Sequence, residues 1–463
     1  MIRSIARGVR RFLKGAGYAF LVLLPLVAVL ASSVVGLAAQ KPFGPAPAYA
    51  DELPARPTHD PTKKTAVVVA GNQLTEVSDL LGPYEVLAAS GGFNVYVVAP
   101  ERKPSPVNPL PVYLCCAWMD LVPHYSFAEY DAAFGAPDLI VVPAIPQATP
   151  GNPDAAVLEW LRTRPDAHTV VLSICAGAKV VADAGLLAGH TATTQQLTMP
   201  YVVPAHAEVN WVRGVRYVDD GQVVSSAGVT AGVDATLYTV QRFFGRAKAL
   251  ETAARVGYPH TQFLDDPTWD APPYSDSAWL PNLLRFGRSK IGLYLYDGVD
   301  EIALSSIADT YPRAFATDVL TVGRERSVIR TRFGLDLVPR HDLGSMPAVG
   351  RLLVPGTPDA AAAAAIERWG ASSRATVERI HAGGGYAYDL ALEDLARHET
   401  RPIASNAAHW IEYPTARLDL GTRDWSPAMV ARPLALLVGG ALAALLLGRR
   451  GRRAQGRLVP ATA

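Results

Sequence analysis

A single cysteine in this chain stands where chemistry can be done. In the run Thr169-Val170-Val171-Leu172-Ser173-Ile174-Cys175-Ala176-Gly177-Ala178-Lys179, an apolar, β-branched stretch stops at Cys175 and small residues follow it. Thr169 to Ile174 reads as a buried strand and the residues from about Ala178 as a helix. A strand that turns sharply into a helix at a nucleophile needs close backbone approach, which Ala176, Gly177 and Ala178 permit. A cysteine at that elbow faces the unpaired N–H groups and positive end of the helix, which favour thiolate and offer oxyanion donors. The competing reading is an inert buried cysteine that only fills space. Lys179 is unusual, because a lysine in a first helical turn opposes the dipole; it holds an anionic ligand, lowers the Cys175 pKa, or simply reaches solvent.

The elements that must position this cysteine are legible on either side of it. Short apolar runs at Ala66, Phe93, Asp138 and Thr169 alternate with helical patterns from Pro83, Asp154 and Lys179. Uninterrupted apolar strands alternating with helices predict an α/β domain, a parallel sheet sandwiched by helices, over residues 64–256. After a linker at 257–288, four blocks recur in the same order over 289–426. KIGLYLYDGVDEIAL at Lys290 parallels KTAVVVAGNQLTEVSDL at Lys64, and FATDVLTVGRER at Phe315 parallels FNVYVVAPERK at Phe93. LDLVPRHDL at Leu335 follows MDLVPHYSF at Met119, and RLLVPGTPDAA at Arg351 follows DLIVVPAIPQATPGNPDAA at Asp138. We therefore expect a degenerate partial repeat. Beyond Trp369 the second copy diverges, so it is expected to lack the later strand and the elbow and not to catalyse.

Of the 463 residues 49% are hydrophobic, enough for two or three folded units, and the 3 cysteines can build neither a disulfide framework nor a zinc ribbon. The net charge of +1 conceals five unbalanced cations at each end, Arg3 to Lys14 and Arg449 to Arg457, which leave the rest of the chain at −9. An acidic body argues against nucleic acid as a partner. The basic ends flank apolar runs. Residues 1–39 read as a basic N-terminus with a transmembrane anchor, or a signal peptide cleaved near Ala48-Tyr49-Ala50; 428–448 read as a second span, and 449–463 as a basic tail. With both basic flanks in the cytoplasm, the body lies outside, lifted off the bilayer by a Pro-rich linker at 40–63.

The segments SICAGAKVVADAGLLAGHTATT, YVDDGQVVSSAGVTAGVDATLYTV at Tyr217 and SDLLGPYEVLAAS at Ser78 resemble the ThiJ/PfpI superfamily, of the class I glutamine amidotransferase-like fold. The similar subgroup includes the ligand-side domains of AraC-type regulators and isonitrile hydratases, and the resemblance covers nearly all of residues 65–254. It implies Cys175 as the elbow cysteine and Asp79, in Asp-x-x-Gly-Pro, as the acid that contacts the sulfur, kept protonated by burial beside it. The Ala176 N–H becomes an oxyanion donor beside Gly177, and Gly71 or Asn72 a second. Two departures stand out. The subgroup's histidine after paired threonines is Gln195, which cannot act as a general base, and the residue after the cysteine is alanine rather than threonine. No cofactor or metal is implied. Members dimerise beside the elbow, so a second copy on the same chain predicts an intramolecular pseudo-dimer.

His124 and His341, at strand ends in both copies, are expected at the surface. Cys115 and Cys116 could trap Cys175 in a disulfide in an oxidising exterior. Two function classes follow. One is a membrane-anchored, cofactor-independent cysteine enzyme, a hydrolase, hydratase or deglycase acting on a small electrophile. The other is a ligand- or redox-sensing module without its own DNA-binding domain.

Overall fold

The computed structural model describes residues 2–38, 52–110, 117–269, 282, 288–315 and 317–456. Cys115 and Cys116 lie outside the described residues. The chain enters through helix α1 (Ile2–Ala38) and builds a first unit from β1 (Lys64–Val69), β2 (Thr75–Glu76), α2 (Val77–Ser90), β3 (Phe93–Ala99), β4 (Ser105–Asn108), β5 (Met119–Val122) and β6 (Tyr125–Ser126). It continues through α3 (Phe127–Ala133), β7 (Leu139–Val142), α4 (Ala156–Thr163), β8 (Val170–Ser173), α5 (Gly177–Asp183), β9 (Thr191–Ala192) and α6 (Met199–Ala205). It closes with β10 (Asn210–Trp211), β11 (Tyr217–Asp220), β12 (Val223–Ser226), α7 (Ala231–Phe244) and α8 (Arg246–Arg255). The seven strands in the order β11-β12-β8-β7-β1-β3-β6 form a sheet that is parallel except for the β11–β12 hairpin. Apolar runs such as Ala66 to Val69 are buried on both faces because helices cover both.

The second unit comprises β13 (Ser289–Tyr294), α9 (Glu301–Thr310), β14 (Thr317–Gly323), β15 (Ile329–Arg330), β16 (Asp336–Pro339), β17 (His341–Asp342) and β18 (Arg351–Pro355). Then follow α10 (Ala360–Ser372), β19 (Thr376–Ile380), α11 (Ala387–His398) and α12 (Arg401–Trp410). Its parallel sheet, β17-β14-β13-β18-β19, runs in the order that β6-β3-β1-β7-β8 takes in the first. The later strand expected to be missing is therefore present as β19, paired along β18. An elbow is present too. In the first unit Val142 lies opposite Ser173, and Cys175 follows two residues on; in the second Val354 lies opposite Arg379, and His381 follows two residues on. Both residues adopt positive φ, 55° at Cys175 and 73° at His381. The motif Ile174-Cys175-Ala176-Gly177 recurs as Ile380-His381-Ala382-Gly383.

The units join across a five-stranded sheet, β15-β16-β5-β4-β2, whose central pair is antiparallel with Leu121 opposite Leu337. Helices α2 and α9 pack beside each other, and one apolar core runs through both units. His124 is buried in this joint rather than exposed: its Nδ1 accepts the Val97 N–H at 3.0 Å, and burial pushes its imidazole down to about 4. His341 is half-buried on β17.

The last helix, α13 (Pro427–Gly456), packs along α1. Both are long and apolar enough to cross a membrane, over Gly15–Ser32 and Met429–Arg450. They run antiparallel, with Tyr18 near Gly448 and Leu21 and Val22 near Gly440. A Cβ at Gly440 would lie 2.5 Å from the Val22 carbonyl oxygen, so only glycine allows that approach.

Candidate functional site

Cys175 is held by its own peptide groups. Its N–H donates to the Ala227 carbonyl at 3.1 Å, and its carbonyl accepts from Thr194 Oγ1 at 2.8 Å. Gly177 explains why the next turn must be small: a Cβ there would lie 2.0 Å from the Val142 carbonyl oxygen at the end of β7. The thiol faces a cavity of about 530 Å³. Apolar walls come from Leu110, Ala144, Leu197 and Val229, Tyr201 is at the mouth, and Glu76, Gln195, Arg313 and Trp410 add the polar and aromatic surface. Arg313 and Trp410 belong to the second unit, so the cavity is composite.

Two buried acids underlie it. Glu76 caps α2, its Oε2 accepting the Asp79 N–H at 2.6 Å, while its Oε1 makes no hydrogen bond and lies 3.8 Å from Arg313 Nη2. Asp79 is wholly buried, and its Oδ2 accepts the Ala144 N–H at 3.1 Å. Burial pushes Asp79 up to about 8, against the pull of that N–H, so it carries a proton at neutral pH. Glu76 is pushed well up by burial and by the Asp309 and Asp79 carboxylates. Burial works against the charge of Arg313, but Asp309 and then Glu76 outweigh it; Nε donates to Asp309 Oδ1 at 2.8 Å and Nη1 to the Leu110 carbonyl at 2.7 Å.

The thiol itself departs from expectation. Burial, then the neighbouring acids Asp79, Glu76 and Glu412, push Cys175 well above its ordinary value, and the Ala176 N–H on the sulfur only partly offsets them. A short helix dipole does not overcome full desolvation plus nearby acids. Cys175 is therefore a thiol at rest.

Of the residues singled out from sequence, Cys175, Ala176 and Gln195 line the cavity, and Asp79 lies behind Glu76 and Ala144. Gly177 supports the turn. Gly71 and Asn72 are not in the site: the Gly71 N–H goes to Thr75 Oγ1 at 2.9 Å and the Asn72 N–H to Asp154 Oδ1 at 2.8 Å. Lys179 is not there either, since its Nζ pairs with Asp183 Oδ2 at 2.5 Å one helical turn on. Gln195 serves as a strut, its Nε2 donating to the Trp410 carbonyl at 3.3 Å and its Oε1 accepting from Thr198 Oγ1 at 3.0 Å. Sequence reasoning missed Glu76 because glutamate is not among the favoured N-cap residues, so its place before the helix gave no capping signal. It also missed Arg313, Trp410 and Glu412, which reach the site only through the packing of the two units. One cluster among the described residues has metal-ligating types, Glu378, Asp394 and His398, but Arg351 bridges its two carboxylates.

A parallel α/β sheet that presents a cysteine from a strained strand–helix turn into a mostly apolar cavity defines a cysteine-elbow domain. Residues 63–242 match the DJ-1/PfpI family. An isonitrile hydratase from Pseudomonas putida is 28% identical over 195 residues, which are 42% of this chain and 79% of the relative. Among solved structures, a ThiJ/PfpI family protein from Pseudomonas syringae is 23% identical with a TM-score of 0.35, covering 48% of this chain and 86% of its own. An AraC family transcriptional regulator from Pseudomonas putida is 14% identical with a TM-score of 0.33, covering 42% and 98%.

Proposed function

We propose that this protein is a membrane-anchored enzyme that adds water to a small, uncharged electrophile through Cys175, and that isonitriles are the substrate class. The observation that carries the reading is the Cys175 thiol on a positive-φ elbow, opening into a largely apolar cavity with a protonated Asp79 behind it. Such a site suits a neutral substrate with an apolar tail. The Cys175 sulfur bonds to the terminal carbon of R–N≡C and a proton is delivered to that same carbon, giving a thioimidate, R–N=CH–S. Water adds to that carbon, the C–S bond breaks, the sulfur regains its proton, and R–NH–CHO leaves. Asp79 is the proton reservoir.

In this reading the second unit is a degenerate copy that acts as a built-in partner and closes the cavity with Arg313 and Trp410. The body stands outside the cytoplasm, and α1 is retained, paired with α13, so that both basic ends lie on the cytoplasmic side. The full chain in detergent is incubated with aliphatic isonitriles, and formamide is followed by mass spectrometry. Formamide from the parent and none from Cys175→Ala supports the enzyme. A second reading, a ligand sensor, is favoured by Gln195 standing where a general base would be. No formamide, but a saturable rise in melting temperature with the same compounds, selects it.

A further inference from the structure

The two loops that hold Cys175 are themselves held by one side chain from the other unit. The Cys175 N–H is taken by Ala227 and its carbonyl by Thr194, and each loop also lines the cavity, through Val229 and Gln195. Glu412, buried just beyond α12, reaches both. Its Oε1 accepts the Gln196 N–H at 2.8 Å and its Oε2 the Gly228 N–H at 2.6 Å. Gly228 leaves room for it, since a Cβ there would lie 2.5 Å from Glu412 Cδ.

The backbone around Glu412 is over-determined. The Thr230 N–H donates to the Ile411 carbonyl at 3.0 Å, and the Glu412 carbonyl accepts from Thr230 Oγ1 at 2.8 Å and from the fully buried Arg216. This is needed because Glu412 has φ 50°, a conformation that costs a residue with a side chain roughly 1–3 kcal/mol. The first unit has a matching turn after α8, where Gly257-Tyr258-Pro259 stands against Glu412-Tyr413-Pro414, and there Gly257 takes φ 69°. Each tyrosine hydroxyl donates to an aspartate on the unit's own penultimate helix, Tyr258 to Asp234 and Tyr413 to Asp389. A turn that glycine fills without strain carries a glutamate here, and its carboxylate lands between the loops of the elbow.

We propose that Glu412 is a positioning residue for the Cys175 site, supplied by the second unit, whose carboxylate clamps the loops at Gln196 and Gly228 that fix the elbow. The proposal deepens the enzymatic reading, but it concerns the geometry of the thiol and is tested without turnover. The alkylation rate of Cys175 by iodoacetamide is measured in the full chain in detergent, resolved by peptide mass spectrometry. Glu412→Gly suits the positive-φ backbone and removes the side chain that carries the clamp, while Asp79, Glu76 and Arg313 stay in place. The rate is expected to rise severalfold, because the loops released at Gln196 and Gly228 no longer hold the elbow closed over the buried thiol. Added acetate, a free carboxylate, is expected to reverse the rise. Tyr413→Phe, which disturbs the same joint but touches neither loop, is expected to leave the rate unchanged. Parent-like alkylation in Glu412→Gly overturns the proposal, as does an equal rise in Tyr413→Phe or indifference to acetate. If Glu412→Gly does not fold, Glu412→Gln decides by the same comparison, because its amide cannot accept both N–H groups. Failure to hydrate isonitriles leaves this test intact.

Discussion

In the first unit β8 leads into Cys175 and in the second β19 leads into His381, both with positive φ and both followed by Ala-Gly. Around these turns nearly everything differs. Helix α5 starts at once, at Gly177, whereas α11 waits until Ala387, after three glycines. Gly177 is jammed against the Val142 carbonyl, but a Cβ on Gly383 would meet nothing within 4 Å. Cys175 opens into the composite cavity over Glu76, with Asp79 behind; in the aligned opening blocks of the second unit the position set against Asp79 is close to Leu304, an apolar residue. Burial pushes His381 down to about 4, which makes it a neutral imidazole. The elbow shape thus belongs to the strand order and crossover, while the acids, the early helix and the other unit's side chains distinguish the Cys175 turn.

Four experiments break or sharpen this comparison. Cys175→Ala should lower isonitrile hydration by at least about a thousandfold, as loss of a nucleophile does, while His381→Ala should stay within about twofold of the parent. Initial rates of formamide release check both. Arg313→Ala should cost about 3–5 kcal/mol in denaturant unfolding, because it leaves Asp309 and Glu76 buried without their cation. Its foil is Arg332→Ala at the half-exposed Asp300 pair beside the second unit's Glu301, expected to cost no more than about 1 kcal/mol. Gly177→Ala should cost about 1–3 kcal/mol through overpacking, and Gly383→Ala within about 0.5 kcal/mol of zero.

The last test is one of pH. Asp79 titrates near 3.8 when unfolded and near 8 when folded. Between those values the folded state holds a proton that the unfolded state has released, so stability falls as pH rises from about 4 to about 8 and then levels off. Asp79→Asn cannot titrate, and its unfolding midpoint should vary less over that window. An identical pH profile in the variant would mean that Asp79 is already ionised in the folded protein.

Much of the first unit was legible because its strands are buried on both faces and read as unbroken apolar runs, and because small residues after Cys175 permit only a tight turn. The second unit was half legible. Its four opening blocks kept their apolar pattern, but β19 (Thr376–Ile380) carries glutamate and arginine at a sheet edge and reads as no strand. Without that strand the motif Ile380-His381-Ala382-Gly383 had no elbow to belong to. Gly71, Asn72 and Lys179 were drawn toward the site by their places at a strand end and a first helical turn, yet local hydrogen bonds and an ion pair one turn on satisfy them elsewhere.

Sequence alone determined the α/β class of the first unit, the elbow and its cysteine and the two apolar terminal helices, since each depends on local pattern and composition, whereas the buried acid at Asp79 was implied by the family resemblance. Only the tertiary structure decided that the thiol is protonated, that Glu76 stands in front of Asp79, and that Arg313, Trp410 and Glu412 complete the site. Those outcomes depend on desolvation and on contacts between residues more than a hundred positions apart, and periodicity within a window of a dozen residues carries neither.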